Sequence, residues 1–245
     1  MTVEISETLK APKSRIISKF LSPAIQMWLR SQVEQVESLQ FKIVGGDRQI
    51  LSGYIPKVSI AASRAVYQGL HLSQLQLEGT DIRVNLGQVI KGKPLRLLEP
   101  IPVAGQLLLK EKDLQTSLQA PLLSTALTEV LSTFLQTNGI TQSANDLKDR
   151  KISWQQVDID EGQLKLCGTL TDATEQTTSV VIYAGLQLAT PQVLKLHPLQ
   201  IHLSPTSSPF HLDGFQIDLG SEVDLQELTL MPGQLMCRGR LNVLP

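Results

Sequence analysis

The distribution of apolar positions divides the chain into helical and extended stretches. From Ser14 to about Leu39 the apolar residues Ile17, Leu21, Ile25, Trp28, Val33, Val36 and Leu39 recur at helical spacing. Ser22-Pro23 reads as an N-cap followed by proline at the first helical position. The spacing therefore predicts a short helix near 14–21 and a longer one near 23–38, after a polar, disordered stretch over 1–13. From Phe41 the period changes to two. Val58, Ile60, Ala62, Arg64 and Val66 alternate with polar or small residues and predict a strand with one buried face. Short strands are expected at 70–77, 82–86 and 103–110. Asp113 is read as the N-cap of a short helix over DLQTSLQ. A longer helix from Ala120-Pro121 carries the stripe Leu122/Leu123, Ala126/Leu127, Val130/Leu131 and Phe134/Leu135, with Asn138-Gly139 as its stop. Residues 141–151 form a polar connector, the one plausible boundary in a single domain over 14–245. Beyond it the chain reads as strands at 154–159, 163–170, 178–188, 192–203, 223–230 and 234–243.

Two regularities stand out. Apolar residues at i, i+2, i+5 and i+7 occur at Leu70, Leu72, Leu75, Leu77, at Leu194, Leu196, Leu199, Ile201, and at Val223, Leu225, Leu228, Leu230. Strand side chains alternate faces, so a step of three moves the apolar set across the sheet unless a bulge absorbs one residue. Either these are bent strands in a strongly curved sheet, or each is a pair of short strands joined by a kink. The second regularity is GQLKLCGTL at 162–170 against GQLMCRGRL at 233–241. Duplication and coincidence both account for so short a match.

Composition narrows the function. In 245 residues, 42% are hydrophobic but only 4% aromatic, so the interior is aliphatic. A chain of this length buries roughly 70–75% of its unfolded surface and folds without staples. A net charge of −1 lacks the basic footprint of a general nucleic-acid binder. Cys167 and Cys237 lie outside any metal-binding spacing; free thiols and a single disulfide both fit. The N-terminus has no uninterrupted apolar core of a signal peptide and no stretch reaches the ~18 residues of a membrane span, so a cytoplasmic location, with peripheral membrane attachment as an option, is expected. No nucleophile elbow, phosphate loop, dinucleotide fingerprint or HExxH zinc motif is present, which predicts no catalytic residue, no metal and no cofactor. Asp158, Asp160 and Glu161 read as a hairpin tip, with weak calcium binding as the alternative. His71, His197, His202 and His211 read as surface residues.

The segments LSPAIQMWLRSQVE, LSGYIPKVSIAASRAVYQGLHLSQLQLEGTDIRVNLGQVIKGKPLRLLEPIPVAG and KDLQTSLQAPLLSTAL resemble the LmeA-like phospholipid-binding family of bacterial proteins. The Gly-Tyr ahead of a long strand, the Tyr67–Leu70 step, the basic loop and Asp113-Leu114 carry the likeness, over roughly residues 16–135 and more loosely beyond. The resemblance implies an α+β fold similar to tubular lipid-binding proteins: a highly curved antiparallel sheet wrapped around a long helix. It also implies non-enzymatic binding of a phospholipid or fatty-acyl ligand in an apolar groove, with a role in membrane lipid transport or homeostasis. A membrane-associated scaffold with a filled core is the alternative. The candidate lining is Val58, Ile60, Ala62, Val66, Leu70 and Leu72, with Leu123, Leu127 and Leu131 closing one wall, although plain core packing is an equal reading for each. Lys19, Phe20, Trp28, Lys91, Lys93 and Arg96 are candidate contacts to an anionic membrane, against the reading that they are solvated charges and packed apolar residues.

Overall fold

A computed structural model describes residues 27, 31, 33–137, 151–171, 175–203, 210–212 and 214–245. The helices expected at 14–21 and over most of 23–38, the cap at Asn138-Gly139 and the connector lie outside the described residues. The fold is α+β and dominated by antiparallel sheet. One sheet has the order β1 (Gln35–Val44), β2 (Tyr54–Tyr67), β3 (Leu70–Arg83), β4 (Ile101–Lys110), β12 (Gln234–Val243), β11 (Val223–Met231). The other has the order β10 (Phe215–Asp218), β8 (Val193–Leu203), β7 (Thr177–Thr190), β6 (Gln163–Thr171), β5 (Lys151–Asp160), and β9 (Phe210–Leu212) pairs with β8. The helices are α1 (Asp47–Leu51), α2 (Leu86–Val89), α3 (Glu111–Ser117) and α4 (Pro121–Thr137). In place of one sheet wrapped around a long helix, there are two sheets, and α4 lies against the second.

The odd steps in the apolar pattern become bends. In β8, His197 and Pro198 together face the single residue Gly185 of β7, and in β11 the register with β12 shifts between Leu225 and Glu227. Each of these two bulges faces a glycine, whereas a further shift in β7, between Leu188 and Thr190, does not. A Cβ on Gly185 would overlap the His197 carbonyl oxygen, and one on Gly239 would press on β11 backbone at Asp224 and Leu225. A third bulge, between Trp154 and Gln156 of β5, faces Gly168. The repeated nonapeptide is thereby explained as structure: Gly168 and Gly239 are its second glycines, and both hairpins are built alike. They also meet at their tips. The Gly162 N–H donates to Leu230 O (3.2 Å), and the Gly233 N–H donates to Ile159 O (2.8 Å), a reciprocal pair that joins the two sheets.

In β1–β3 the odd step takes another form. The β2–β3 register is unbroken, yet Arg64 (φ +47°), between Glu37 of β1 and Ser73 of β3, adopts the left-handed conformation. One such residue replaces a pleat step, so the apolar face switches parity on all three strands: Val36 to Leu39, Ala62 to Ala65, Leu72 to Leu75. Asp81 (φ +55°), opposite Pro56, marks a second switch, from Gly79 to Ile82. This corrects two expectations. The i, i+3 spacing of Val36 and Leu39, read as a helical turn, belongs to a strand that starts at Gln35. Residues 70–83 form one continuous strand and not two.

The short helix α3 rivets the sheets together. On its β3 side, the Ser73 hydroxyl donates to the Asp113 carboxylate (2.5 Å) and accepts from the Lys110 N–H (2.7 Å), while the His71 N–H donates to Ser117 Oγ (2.8 Å). Asp113 thus sits inside the first turn as an acceptor for Ser73, and Lys110 occupies the N-cap. On its other side, Glu111 and Gln115 accept from the Ile159 and Val157 N–H groups, and the Gln115 and Gln119 amides donate to the Gln155 and Trp154 carbonyls. These side chains satisfy backbone groups of an edge strand that would otherwise invite pairing with another chain.

Behind β5–β8 the core is filled. Trp154, Val180, Leu199 and Ile201 are buried against Leu131 and Phe134 of α4, and the Phe134 ring meets Phe215 edge-on at 5.6 Å. Both cysteines are free, and burial pushes the Cys237 thiol up from its ordinary value.

Two substitutions test the bends. Gly185→Ala forces a methyl group into backbone and is expected to cost about 1–3 kcal/mol. Gly87→Ala, where the space is open, should stabilise α2 by about 0.4–1 kcal/mol; urea melts compare the two. Ser73→Ala strands the Lys110 N–H and a carboxylate oxygen, so the same melts should show a loss of about 1–3 kcal/mol.

Candidate lipid-binding trough

The apolar face of β1–β4 is lined differently from that of the second sheet. Large side chains at its centre, Ile60, Leu72, Leu75 and Leu77, are only half-buried, because no helix among the described residues covers them. They border a trough of about 490 Å³, within the 300–1,000 Å³ range of small-molecule sites. Small residues deepen the floor: Ala62 and Ala65 on β2, Gly79 on β3. One end is formed by Val33, Val36 and Tyr67 near the β2–β3 turn; the other by Leu95, Leu97, Ile101 and Val243. Among the described residues no charged side chain lines it, and the one hydroxyl there, on Tyr67, accepts from the Gln68 amide (3.1 Å). Both parity switches serve this surface, since they keep apolar residues facing the trough along the whole length of β2 and β3.

The structure brings Val58, Ile60, Ala62 and Leu72 together in this lining. It places Val66 elsewhere: past Arg64, the trough side passes to Ala65 and Tyr67, and Val66 turns to the opposite face beside His71 and Asp113. Leu70, at the turn, falls outside the lining. Leu123, Leu127 and Leu131 pack into the core of the second sheet, so α4 forms no wall of the trough. Lys91, Lys93 and Arg96 are exposed on the loop between β3 and β4, and Lys19, Phe20 and Trp28 lie outside the described residues. Sequence reasoning missed Leu39, Leu75, Leu77, Ile82, Leu95 and Leu97. Leu75 and Leu77 were within reach, since the odd step from Leu72 already marked a switch of face.

The opposite face of the same strands is polar. Gln40, Lys42, Gln76, Gln106 and Arg238 surround a shallow depression of about 610 Å³, and Arg238 pairs with Glu227 at 3.4 Å. Polar candidates elsewhere are committed to structure. Asp158 pairs across its hairpin with Lys165 at 3.2 Å, and a hydrogen bond from Gln156, reinforced by Lys165, lowers its carboxyl pKa. His71, His197 and His202 are half-buried, with the His202 ring edge-on to Tyr183. Among the described residues there is no cluster of three or more metal-ligating side chains, and no helix is long and apolar enough to cross a membrane.

Comparison with known proteins adds one finding. No curated protein and no solved structure matches the chain. The sequence profile of a family described as LmeA-like phospholipid-binding matches residues 13–240, nearly the whole chain. The protein belongs to the LmeA-like phospholipid-binding family.

Proposed function

We propose that the protein binds a phospholipid or a similar acyl lipid without transforming it, with the chains lying in the trough of the first sheet and the headgroup outside. The observation that carries this reading is the trough itself: a half-open concavity, uncharged among the described residues, on a sheet whose counterpart in the same molecule is sealed by a helix. Each methylene moved out of water contributes ~0.8 kcal/mol, so a dozen give about 10 kcal/mol before ordering costs. Aliphatic walls accept such a chain without leaving a polar group unpaired. A charged headgroup finds no partner inside and would lose its hydration there, which keeps it at the rim. On this reading the bent two-sheet body is a variant of the tubular lipid-binding architecture, and the protein serves lipid transport or homeostasis at a membrane periphery.

Native mass spectrometry of gently purified protein tests the proposal. Wild type is expected to carry phospholipid. Ile60→Glu places a carboxylate among the methylenes, and Ala62→Trp fills the floor; each should reduce bound lipid by roughly tenfold or more. Gln76→Glu, on the polar face of the same sheet, should leave it unchanged. Equal lipid in all four proteins would remove the trough as the site, and a lipid-free wild type would favour a scaffold.

A further inference from the structure

We infer that one end of the first sheet is a docking surface for an anionic phospholipid bilayer. Antiparallel pairing gathers five chain segments there: the end of β1 with α1, the start of β2, the end of β3 with α2 and its loop, the start of β4, and the end of β12. Five of the nine large hydrophobic residues exposed among the described residues lie at this end: Val44, Leu51, Ile90, Leu98 and Leu244. Leu51 and Leu98 are 55% and 57% exposed. Clustered exposed apolar side chains mark an interaction surface, whereas scattered ones carry no such meaning.

Charge identifies the partner. Arg48, Lys91, Lys93 and Arg96 are exposed among these apolar residues, and none forms an ion pair among the described residues. Of the acidic groups nearby, Glu99 pairs with Arg83 at 3.3 Å and Asp81 accepts from the Tyr54 hydroxyl (2.5 Å), leaving Asp47 on α1 and Glu222 beside Asn242 against the four cations. Unpaired cations around protruding aliphatic side chains match the headgroup layer of an anionic membrane, where cations meet phosphates and apolar side chains enter the acyl boundary.

The surface is held in shape and joined to the trough. Buried Asn85 organises the loop, donating from its amide to Pro94 O (3.0 Å) and accepting from the Arg96 N–H (2.8 Å). Beyond it the chain alternates: Leu95 and Leu97 line the trough, and Arg96 and Leu98 face outward. A bilayer at this end would therefore lie one residue from the trough wall. That placement of the mouth rests on the proposed binding of acyl chains; the docking surface itself does not.

Co-sedimentation with phosphatidylglycerol/phosphatidylcholine (1:1) and pure phosphatidylcholine vesicles tests the inference. Wild type should prefer the anionic vesicles. The triple variant K91Q/K93Q/R96Q should bind them on the order of 100-fold more weakly, with the loss shrinking at high salt. Leu51→Glu with Leu98→Glu should lose roughly tenfold or more at an unchanged Tm, and Lys112→Gln, on α3, should behave as wild type. Equal binding of both vesicle types by wild type, or wild-type binding by both the triple and the double variant, overturns the inference. So does a double variant that changes only the oligomeric state in light scattering, which would make this end a self-association surface. Trough occupancy, read by native mass spectrometry on the same proteins, separates the two proposals: lipid retained without vesicle binding removes the docking surface alone, and vesicle binding without retained lipid removes the carrier reading alone.

Discussion

A β-strand has two faces, and a sheet that must bend while keeping an apolar face inward has to spend residues on changing parity. This molecule does so repeatedly, and the rest of its structure follows. In β5, β8 and β11 an extra residue is absorbed in a bulge, each opposite a glycine whose missing side chain lets the backbones approach. In β2 and β3 the left-handed residues Arg64 and Asp81 change parity without breaking the register. Without these steps β2 could not present both Ala62 and Ala65 to one surface, and the trough would end halfway along the strand.

The two sheets then differ in what covers them. Behind the second, α4 supplies Leu131 and Phe134 to a buried core, with Trp154 donating its indole N–H to Thr128 (3.3 Å). Above the first, aliphatic residues of the same kinds stay half-exposed around an apolar trough. The paired hairpin tips and α3 hold these unlike halves together through satisfied backbone hydrogen bonds, so the open half is supported by the closed one. A binding protein benefits from this division: the filled core supplies stability, and the trough is free of the requirement to collapse.

Much of this was legible in the sequence. The period-two stretches located most strands, and β12 was delimited to the residue. The odd apolar steps announced the bulges at Pro198 and after Leu225, and the Ala120-Pro121 start of α4 was plain. What failed did so for physical reasons. A parity switch imitates a helical turn, so Val36 and Leu39 read as helix when they belong to a strand. The same switch at Arg64 sent Val66 to the wrong face, because left-handed backbone at an arginine has no sequence signature. The stripe of α4 is amphipathic, but amphipathicity does not say which sheet it meets, and Leu123, Leu127 and Leu131 went to the filled one. The short helices α1 and α2, four to five residues each, fall below any periodic signal.

The position of a bound acyl chain is the central question. Photocrosslinking with a phospholipid bearing a diazirine near the end of its acyl chain, followed by peptide mapping, reads that position directly. Adducts are expected on β2 and β3, at residues such as Ala62, Leu75 and Leu77, and none on α4 or on the Gln76 face. Adducts concentrated on α4 or β7–β8, or spread evenly over the surface, would contradict this placement.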